Sequence, residues 1–95
     1  MFTHIVLYKL NDSSEEAKNE LRLKFMSMKG KVKQILEIEC GCDVLFSERS
    51  YDVSLFIRFK SKEDFIKYKE DEYHKSVAKY VHSVKKYSVS VDYES

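Results

Sequence analysis

Apolar residues recur along the chain at a spacing of two in some segments and of three to four in others, which predicts alternating strands and helices. The first segment, residues 2–10, has the spacing of a strand. Its two predicted faces are Phe2, His4, Val6, Tyr8 and Leu10 on one side, and Thr3, Ile5, Leu7 and Lys9 on the other. Because both faces are largely apolar, we expect this strand to be covered on both sides.

A helix is predicted after the first strand. Ser13 is the expected N-cap, and Glu16 three residues later would complete a capping box. Helical spacing then defines one apolar stripe, which we expect to be buried: Ala17, Leu21, Phe25, Met28 and Val32. Gly30 is expected to break or bend the end of this helix.

The middle of the chain predicts a hairpin of two strands. Strands are expected over residues 35–46 and 51–60, because both segments are rich in apolar residues with strand spacing. The polar segment 47–50 suits the short connection between them. The predicted inner face of the second of these strands consists of Tyr51, Val53, Leu55, Ile57 and Phe59.

A second helical region follows the hairpin. Ser61 is the expected N-cap, with Asp64 three residues later, and Phe65 and Tyr68 are placed on the inner side of the helix. The acidic stretch 69–73 is expected to be irregular. Helical spacing then resumes at His74, Val77, Ala78, Val81 and Val84 or Lys85.

A last strand is expected over residues 87–94, which makes the element order β-α-β-β-α-β. That order is typical of the ferredoxin-like α+β fold, in which helices cover one face of a four-stranded antiparallel sheet. The other face would be open, yet the first strand places Ile5 and Leu7 there. An open apolar face of this kind indicates an interface, so we expect a homodimer that packs sheet on sheet about a two-fold axis.

Composition and charge exclude several classes of protein. The 95 residues fit a single domain over residues 1–95, and 17 Lys and Arg against 16 Asp and Glu lack the basic excess of a nucleic-acid-binding protein. No run of about 18 apolar residues could span a membrane, and the alternating start is unlike a signal peptide. We therefore expect a cytoplasmic protein that binds neither nucleic acid nor a membrane.

Two cysteines, Cys40 and Cys42, lie on one predicted strand. Their side chains would point to the same face, with Cα atoms roughly 6.5–7 Å apart, at or beyond the limit for a disulfide. Two thiols supply only half of a zinc site, and the histidines have no ligand spacing. A phosphate-binding loop and a nucleophile motif are also absent, so we expect reduced thiols, no metal and no cofactor.

Three residues with acid–base or hydrogen-bonding chemistry are predicted to face inward. His74 shares a helical stripe with Val77 and Val81, and a histidine has a pKa suited to proton transfer near neutral pH. Tyr68 lies six residues earlier and would meet His74 only if the chain bends between them. His4 is on the helix-facing side of the first strand. Each of the three is also compatible with a purely structural role in the core.

Several short motifs occur in an order that is more specific than any one of them. They are His4-Ile5-Val6-Leu7-Tyr8-Lys9-Leu10, Ser13-Ser14-Glu15-Glu16, Glu39-Cys40-Gly41-Cys42-Asp43-Val44, Ser47, Arg49-Ser50-Tyr51-Asp52-Val53, Phe59, Tyr68, His74 and Val91-Asp92-Tyr93. Over nearly the whole chain this order resembles the stress-responsive A/B barrel (Dabb) family. The resemblance implies a small dimeric α+β barrel without a common cofactor.

The resemblance also implies a candidate site. In a plant polyketide cyclase of this family, a histidine–tyrosine pair between helices and sheet is assigned to an aldol closure, which implies catalytic roles for His74 and Tyr68 here. Many family members carry His-Pro-x-His where this chain has Asp71-Glu72-Tyr73-His74, so the first histidine and the proline are missing. The expected ligand-binding residues are His4, Val6, Tyr8, Phe25, Phe65 and Val81.

Three functions are compatible with the sequence. The first is a stress-related dimeric protein whose pocket binds a small apolar or aromatic molecule without converting it. The second is a cofactor-independent cyclase, isomerase or monooxygenase-like enzyme that uses Tyr68 and His74. The third is a structural or assembly role, with the open sheet face as the functional surface. Haem binding through His74, as in relatives of the wider barrel superfamily, has no second supporting feature, and His82 is expected at the surface.

Overall fold

Four strands and three helices make up the fold, and the computed structural model describes all of residues 1–95. The elements are β1 (Phe2–Leu10), α1 (Glu15–Met26), β2 (Ile35–Cys42), β3 (Val53–Phe59), α2 (Lys62–Glu70), α3 (Glu72–Val84) and β4 (Lys85–Glu94). This order confirms the predicted ferredoxin-like α+β arrangement, with its second helical region divided into α2 and α3.

The four strands form one antiparallel sheet in the order β2-β3-β1-β4. The strand β1 lies inside the sheet, between β3 and β4. Its helix-facing apolar residues are buried, whereas Ile5 and Leu7 on the other face are half-buried. His4 of β1 lies opposite Ile57 of β3 and Asp92 of β4. Directly opposed residues point to the same face, so His4 and Asp92 both lie on the side that the helices cover.

The hydrophobic core lies between the helices and this face of the sheet. The stripe predicted for the first helix is largely confirmed: Leu21, Phe25, Met28 and Val32 are buried, whereas Ala17 is half-buried. The sheet and the other two helices contribute Phe2, Val6, Tyr8, Leu10, Ile38, Cys40, Val53, Leu55, Ile57, Phe59, Tyr68, Val77 and Val81. The core therefore holds the buried sides of α2 and α3 against the sheet, facing β1.

The start of α1 differs from the prediction. Its N-cap is Ser14, whose Oγ accepts a hydrogen bond from the Ala17 backbone N–H at 3.2 Å. Asp12 in turn accepts from the Ser14 backbone N–H at 2.9 Å, which holds the preceding turn and moves the helix start one residue beyond Ser13. The predicted capping box is therefore wrong. The helix ends at Met26, and Gly30 takes a φ of +84° in the turn beyond it.

The strands β2 and β3 are shorter than predicted because a structured loop occupies residues 43–52. The strand β2 ends at Cys42 rather than at residue 46, and β3 spans Val53–Phe59 rather than 51–60. Tyr51 is also placed differently from the prediction. Its ring packs edge-on against Tyr87 of the open face, with centroids 5.9 Å apart, because the strand alternation begins only at Val53.

A buried lysine holds this loop in place. Lys18 of α1 is 1% exposed, and its Nζ donates to the Asp43 carbonyl at 3.0 Å and lies 3.1 Å from Glu15 Oε1. The same ammonium group lies 4.5 Å from the centroid of the Phe46 ring. Phe46 itself has a φ of 56°, and its backbone N–H donates to Asp43 Oδ2 at 2.8 Å. The anchored loop leaves the side chains of Val44 and Leu45 in solvent.

The sheet face opposite the helices is uncovered and largely apolar. On β4 its members are 44% to 54% exposed: Tyr87, Val89, Val91 and Tyr93. Half-buried Ile5 lies beside Val91 on one side and Phe56 on the other, which makes the apolar surface continuous across three strands. β4 begins at Lys85, two residues before the predicted start, because it follows α3 directly. None of the three helices combines the length and apolarity needed to cross a membrane.

Candidate functional site

A single non-helical residue, Asp71, joins α2 to α3. Its φ of −65° and ψ of 134° are extended, and it is at once the C-cap of α2 and the N-cap of α3. The Asp71 backbone N–H donates to the Tyr68 carbonyl at 3.2 Å, and Asp71 Oδ1 accepts from the His74 backbone N–H at 3.0 Å. The irregular stretch predicted over residues 69–73 is therefore only one residue long, because the Asp71 side chain caps the start of α3 directly after α2 ends.

The bend at Asp71 brings Tyr68 and His74 together. Their ring centroids lie 4.1 Å apart, with an angle of 44° between the ring planes. Tyr68 is buried near the end of α2, and His74 is half-buried in the first turn of α3. The sequence left this meeting conditional on a bend in the chain, and Asp71 supplies that bend.

His4 lies on the sheet side of the same pair. Its ring centroid is 6.3 Å from that of Tyr68 and 5.0 Å from that of Phe65. His4 Nδ1 donates to the carboxylate of Asp92, its neighbour on β4. A carboxylate on Nδ1 fixes the tautomer of an imidazole and leaves Nε2 as its free nitrogen.

A cavity of about 350 Å³ lies between the helices and the sheet at this point. It is lined by His4, Val6, Tyr8, Phe25, Tyr68, His74 and Val81 from the predicted site. Phe65 lies outside the cavity, because its ring stacks on Phe2, at 4.7 Å between centroids, on the far side of His4 and Tyr68. Phe65 therefore supports the position of the His4 ring without lining the space beside it.

Further residues complete the lining. Val77 and Ala78 come from the helical stripe that was predicted to carry His74. Four lining residues were not predicted from the sequence: Lys69, Lys85, Ser88 and Ser90. His82, expected at the surface, is exposed and stands at the rim. The two serines lie opposite Tyr8 and Val6. Along β4, Ser88 and Ser90 alternate with apolar residues. This alternation would have predicted that the serines line the cavity if the pairing of β4 with β1 had been known.

Burial determines the protonation states of Tyr68 and His74. It lowers the pKa of His74 below the ordinary 6.5, against the opposing effects of the Lys69 carbonyl and the Asp71 carboxylate. The N-terminal end of α3 also disfavours a charged imidazole. Burial raises the pKa of Tyr68 well above its usual value, with a smaller effect from Tyr8. Near pH 7 His74 is therefore a neutral base, and the Tyr68 hydroxyl keeps its proton and can donate it to a hydrogen bond.

The two ring nitrogens of His74 have different surroundings. Its Nδ1 is buried and has no hydrogen-bond partner in the chain. Since Nδ1 is shut off inside the protein, Nε2 is the nitrogen that a molecule in the cavity can reach. The arrangement can thus offer a proton acceptor beside a hydroxyl donor within an apolar wall.

The chain contains no group of three or more His, Cys, Asp or Glu side chains arranged to hold a metal ion. Cys40 and Cys42 are free thiols, and burial raises the pKa of Cys40 to about 12, which leaves it unreactive. A second depression, of about 320 Å³, lies on the open sheet face beside Arg49 and Tyr51. It contains none of the three residues around which the candidate site is built.

The fold and the site define a class of protein: a ferredoxin-like α+β domain with a pocket between its helices and its sheet. The sequence profile of the stress responsive A/B barrel domain matches residues 2–95. The chain therefore belongs to the Dabb family, as the order of its motifs indicated.

Solved structures agree with this assignment. A dimeric ferredoxin-like protein of unknown function from Bacteroides fragilis is 27% identical, with a TM-score of 0.82 over 99% of this chain and 95% of the other. A protein from Arabidopsis thaliana is 20% identical, with a TM-score of 0.86 over 100% and 95%. Hydroxynitrile lyase from Passiflora edulis is 15% identical, with a TM-score of 0.83 over 97% and 90%. A search of curated proteins finds no match.

Proposed function

We propose that the protein is a homodimer whose cavity between helices and sheet binds a small apolar or aromatic molecule. The observation that carries this proposal is the convergence of His4, Tyr68 and His74 on a space of about 350 Å³ whose buried walls are apolar. Small-molecule sites typically have volumes of roughly 300–1,000 Å³, apolar walls and a few converging polar groups. The volume suits a ligand of about the size of a substituted aromatic ring.

Native mass spectrometry of protein purified from its own host tests this proposal. We expect a dimer that retains a defined small molecule. Ala78→Phe would fill part of the cavity and should abolish the retained mass, whereas Lys79→Phe, on the exposed neighbouring position, should keep it. A ligand that survives Ala78→Phe, or its absence from the unaltered protein, would count against binding in this cavity.

The open sheet face is the proposed dimer interface. Its apolar surface spans Ile5, Phe56 and Val91 on three adjacent strands, and the Bacteroides relative is a dimer. Burying such a face against a second copy removes apolar area from water at no cost to the helix-covered side. If the cavity holds no ligand, this face remains as the functional surface, which is the structural or assembly role considered from the sequence.

A second candidate function is favoured by the electrostatics of Tyr68 and His74. A neutral His74 beside a protonated Tyr68 has the properties needed to remove a proton next to a carbonyl group. The proton would pass from carbon to His74 Nε2, and the electron pair would form an enolate whose oxygen accepts a hydrogen bond from Tyr68. This chemistry belongs to a cofactor-independent enzyme of the polyketide-cyclase-like or monooxygenase-like kind.

Deuterium exchange at the methyl group of acetophenone, followed by NMR in D2O, tests the enzymatic candidate. Catalysed exchange should be lost in His74→Ala and strongly reduced in Tyr68→Phe, while both variants keep the circular-dichroism spectrum of the fold. Lys75→Ala, at an exposed position of α3 outside the cavity, is the control and should retain the rate. Equal exchange with and without the protein would leave binding as the favoured function. The Passiflora hydroxynitrile lyase shows that an enzyme can use this fold.

A further inference from the structure

The lining of the cavity has an uneven charge distribution. The chain as a whole carries 17 basic and 16 acidic residues, yet the fourteen lining residues include Lys69, Lys85 and His82 and no aspartate or glutamate. A lining with the composition of the whole chain would contain acidic as well as basic side chains. The cavity therefore presents a positive potential to whatever enters it.

Two carboxylates that contact residues of the lining already accept hydrogen bonds from them. Asp92 accepts a hydrogen bond from His4 Nδ1, and Asp71 accepts one from the His74 backbone N–H. Neither Lys69 nor Lys85 takes part in any of the ion pairs of the chain. The two ammonium groups are thus left without a neutralising partner within the protein.

The charged side chains of the lining are more exposed than most of its apolar side chains. Lys69 and His82 are exposed, and half-buried Lys85 lies where α3 meets β4, with its Nζ 3.5 Å from Ser88 Oγ. His82 and Lys85, where α3 ends, form the mouth, whereas Lys69 lies at the other end of α3. The buried members of the lining form the deep end: Val6, Tyr8, Phe25, Tyr68, Val77 and Val81.

We propose that the ligand of this cavity is an amphipathic organic anion. Its apolar or aromatic body occupies the deep end, and its carboxylate lies at the mouth, where Lys85 binds it. This inference rests on the ligand-binding role proposed above and specifies the chemical class of the ligand. Hydrogen bonds between an ammonium group and a carboxylate are among the stronger ones in proteins, so the mouth would select anions over neutral analogues.

A matched pair of probes tests this selectivity. 4-Phenylbutyrate and 4-phenylbutyramide have the same apolar body and differ in the charge of the end group. Titration calorimetry should show the carboxylate binding about tenfold or more tightly than the amide. Raising the ionic strength should weaken the binding of the carboxylate probe, because salt screens its attraction to the lysine at the mouth. The affinity for the neutral amide should not change.

Two lysine variants locate the effect. Lys85→Gln should remove most of the preference for the carboxylate and leave the affinity for the amide unchanged. Lys86→Gln removes the same charge one residue away, outside the cavity, and should keep the preference. Equal affinity for the two probes, or equal losses in the two variants, would overturn the inference while the binding role stands. Failure of both probes to bind would overturn the binding role together with it.

Discussion

The rings of Tyr68 and His74 pack at a tilt, with their centroids 4.1 Å apart, although the two residues are six positions apart in the sequence. On an unbroken helix, that separation corresponds to about 9 Å along the axis and about 240° around it, so the two side chains could not touch. Their contact depends on Asp71, the one extended residue between α2 and α3. The candidate site is therefore built by a helix break as much as by the two residues themselves.

The backbone at this break already suits proline, which many family members carry at position 72. Glu72 is the first residue of α3, and Asp71 before it is extended, as a residue preceding proline should be. We expect Glu72→Pro to raise the free energy of unfolding by about 0.4–1 kcal/mol, because it restricts only the unfolded chain. Urea denaturation measures this change.

Ser76→Pro is the matched control for that prediction. Ser76 is exposed but lies inside α3, where proline removes a helical hydrogen bond and should cost about 3 kcal/mol. Destabilisation of comparable size by both variants would show that the helix break at Asp71 does not have the geometry described here.

The neutral state of His74 makes stability depend on pH. The folded chain holds its pKa below the 6.5 of an unfolded histidine, so between these two values only the unfolded chain binds the proton. The free energy of unfolding should fall as the pH drops through 6.5 towards the folded pKa, and this contribution should be fully present above 6.5.

Urea midpoints measured between about pH 7.5 and 5 for the natural chain and His74→Gln isolate this contribution. The titratable neighbours of the ring, His4, Lys69 and Asp71, are retained in both proteins. The His74→Gln variant should lose less stability on acidification, and His82→Gln, at the exposed rim, should follow the natural chain. Parallel curves for all three proteins would contradict a depressed pKa at His74.

A charge on the open face should separate the dimer. Val91 is 54% exposed on β4, beside Ile5, and Val91→Glu would place a carboxylate in the proposed interface. Sedimentation velocity at low micromolar concentration should then give the 11.3 kDa chain mass, whereas the natural chain should give twice that mass. Ile66→Glu, at an exposed apolar position of α2, should leave the dimer intact. A natural chain that sediments as a monomer would overturn the proposed interface.

The buried ammonium group of Lys18 should control the loop that follows β2. Lys18→Met keeps a long apolar stem but leaves the Asp43 carbonyl without its donor, which should cost about 1–3 kcal/mol of stability. Hydrogen exchange should increase across residues 43–50. Lys33→Met removes the same charge from an exposed position and should change neither quantity. Unchanged exchange in Lys18→Met would mean that other contacts hold the loop.

The sequence predicted those features that depend on local periodicity. The alternation of β1 separated His4, Val6 and Tyr8 from Ile5 and Leu7, and the structure places the two sets on opposite faces of the sheet. The element order followed from the same signal, because each strand and helix carries its own spacing of apolar residues. Most of the cavity wall was predictable for this reason.

Other features depend on contacts between distant segments, which periodicity does not record. Lys18 lies beside the apolar stripe of α1 and carries a charge, so nothing local indicates that a loop 25 residues later would bury it. Asp71 belongs to an acidic run that resembles irregular surface chain, yet two hydrogen bonds make it a shared helix cap. Lys85 lines the cavity only because α3 leads directly into β4.

The strand β4 serves both sides of the sheet. Ser88, Ser90 and Asp92 face the cavity side, and Val89 and Val91 face the opposite side. Inserting or deleting one residue near its start would exchange the two sets, placing valines against the His4 ring and an aspartate on the apolar outer surface. Viable length changes in this strand must therefore come in pairs of residues, so insertions and deletions are constrained here even where single substitutions are tolerated.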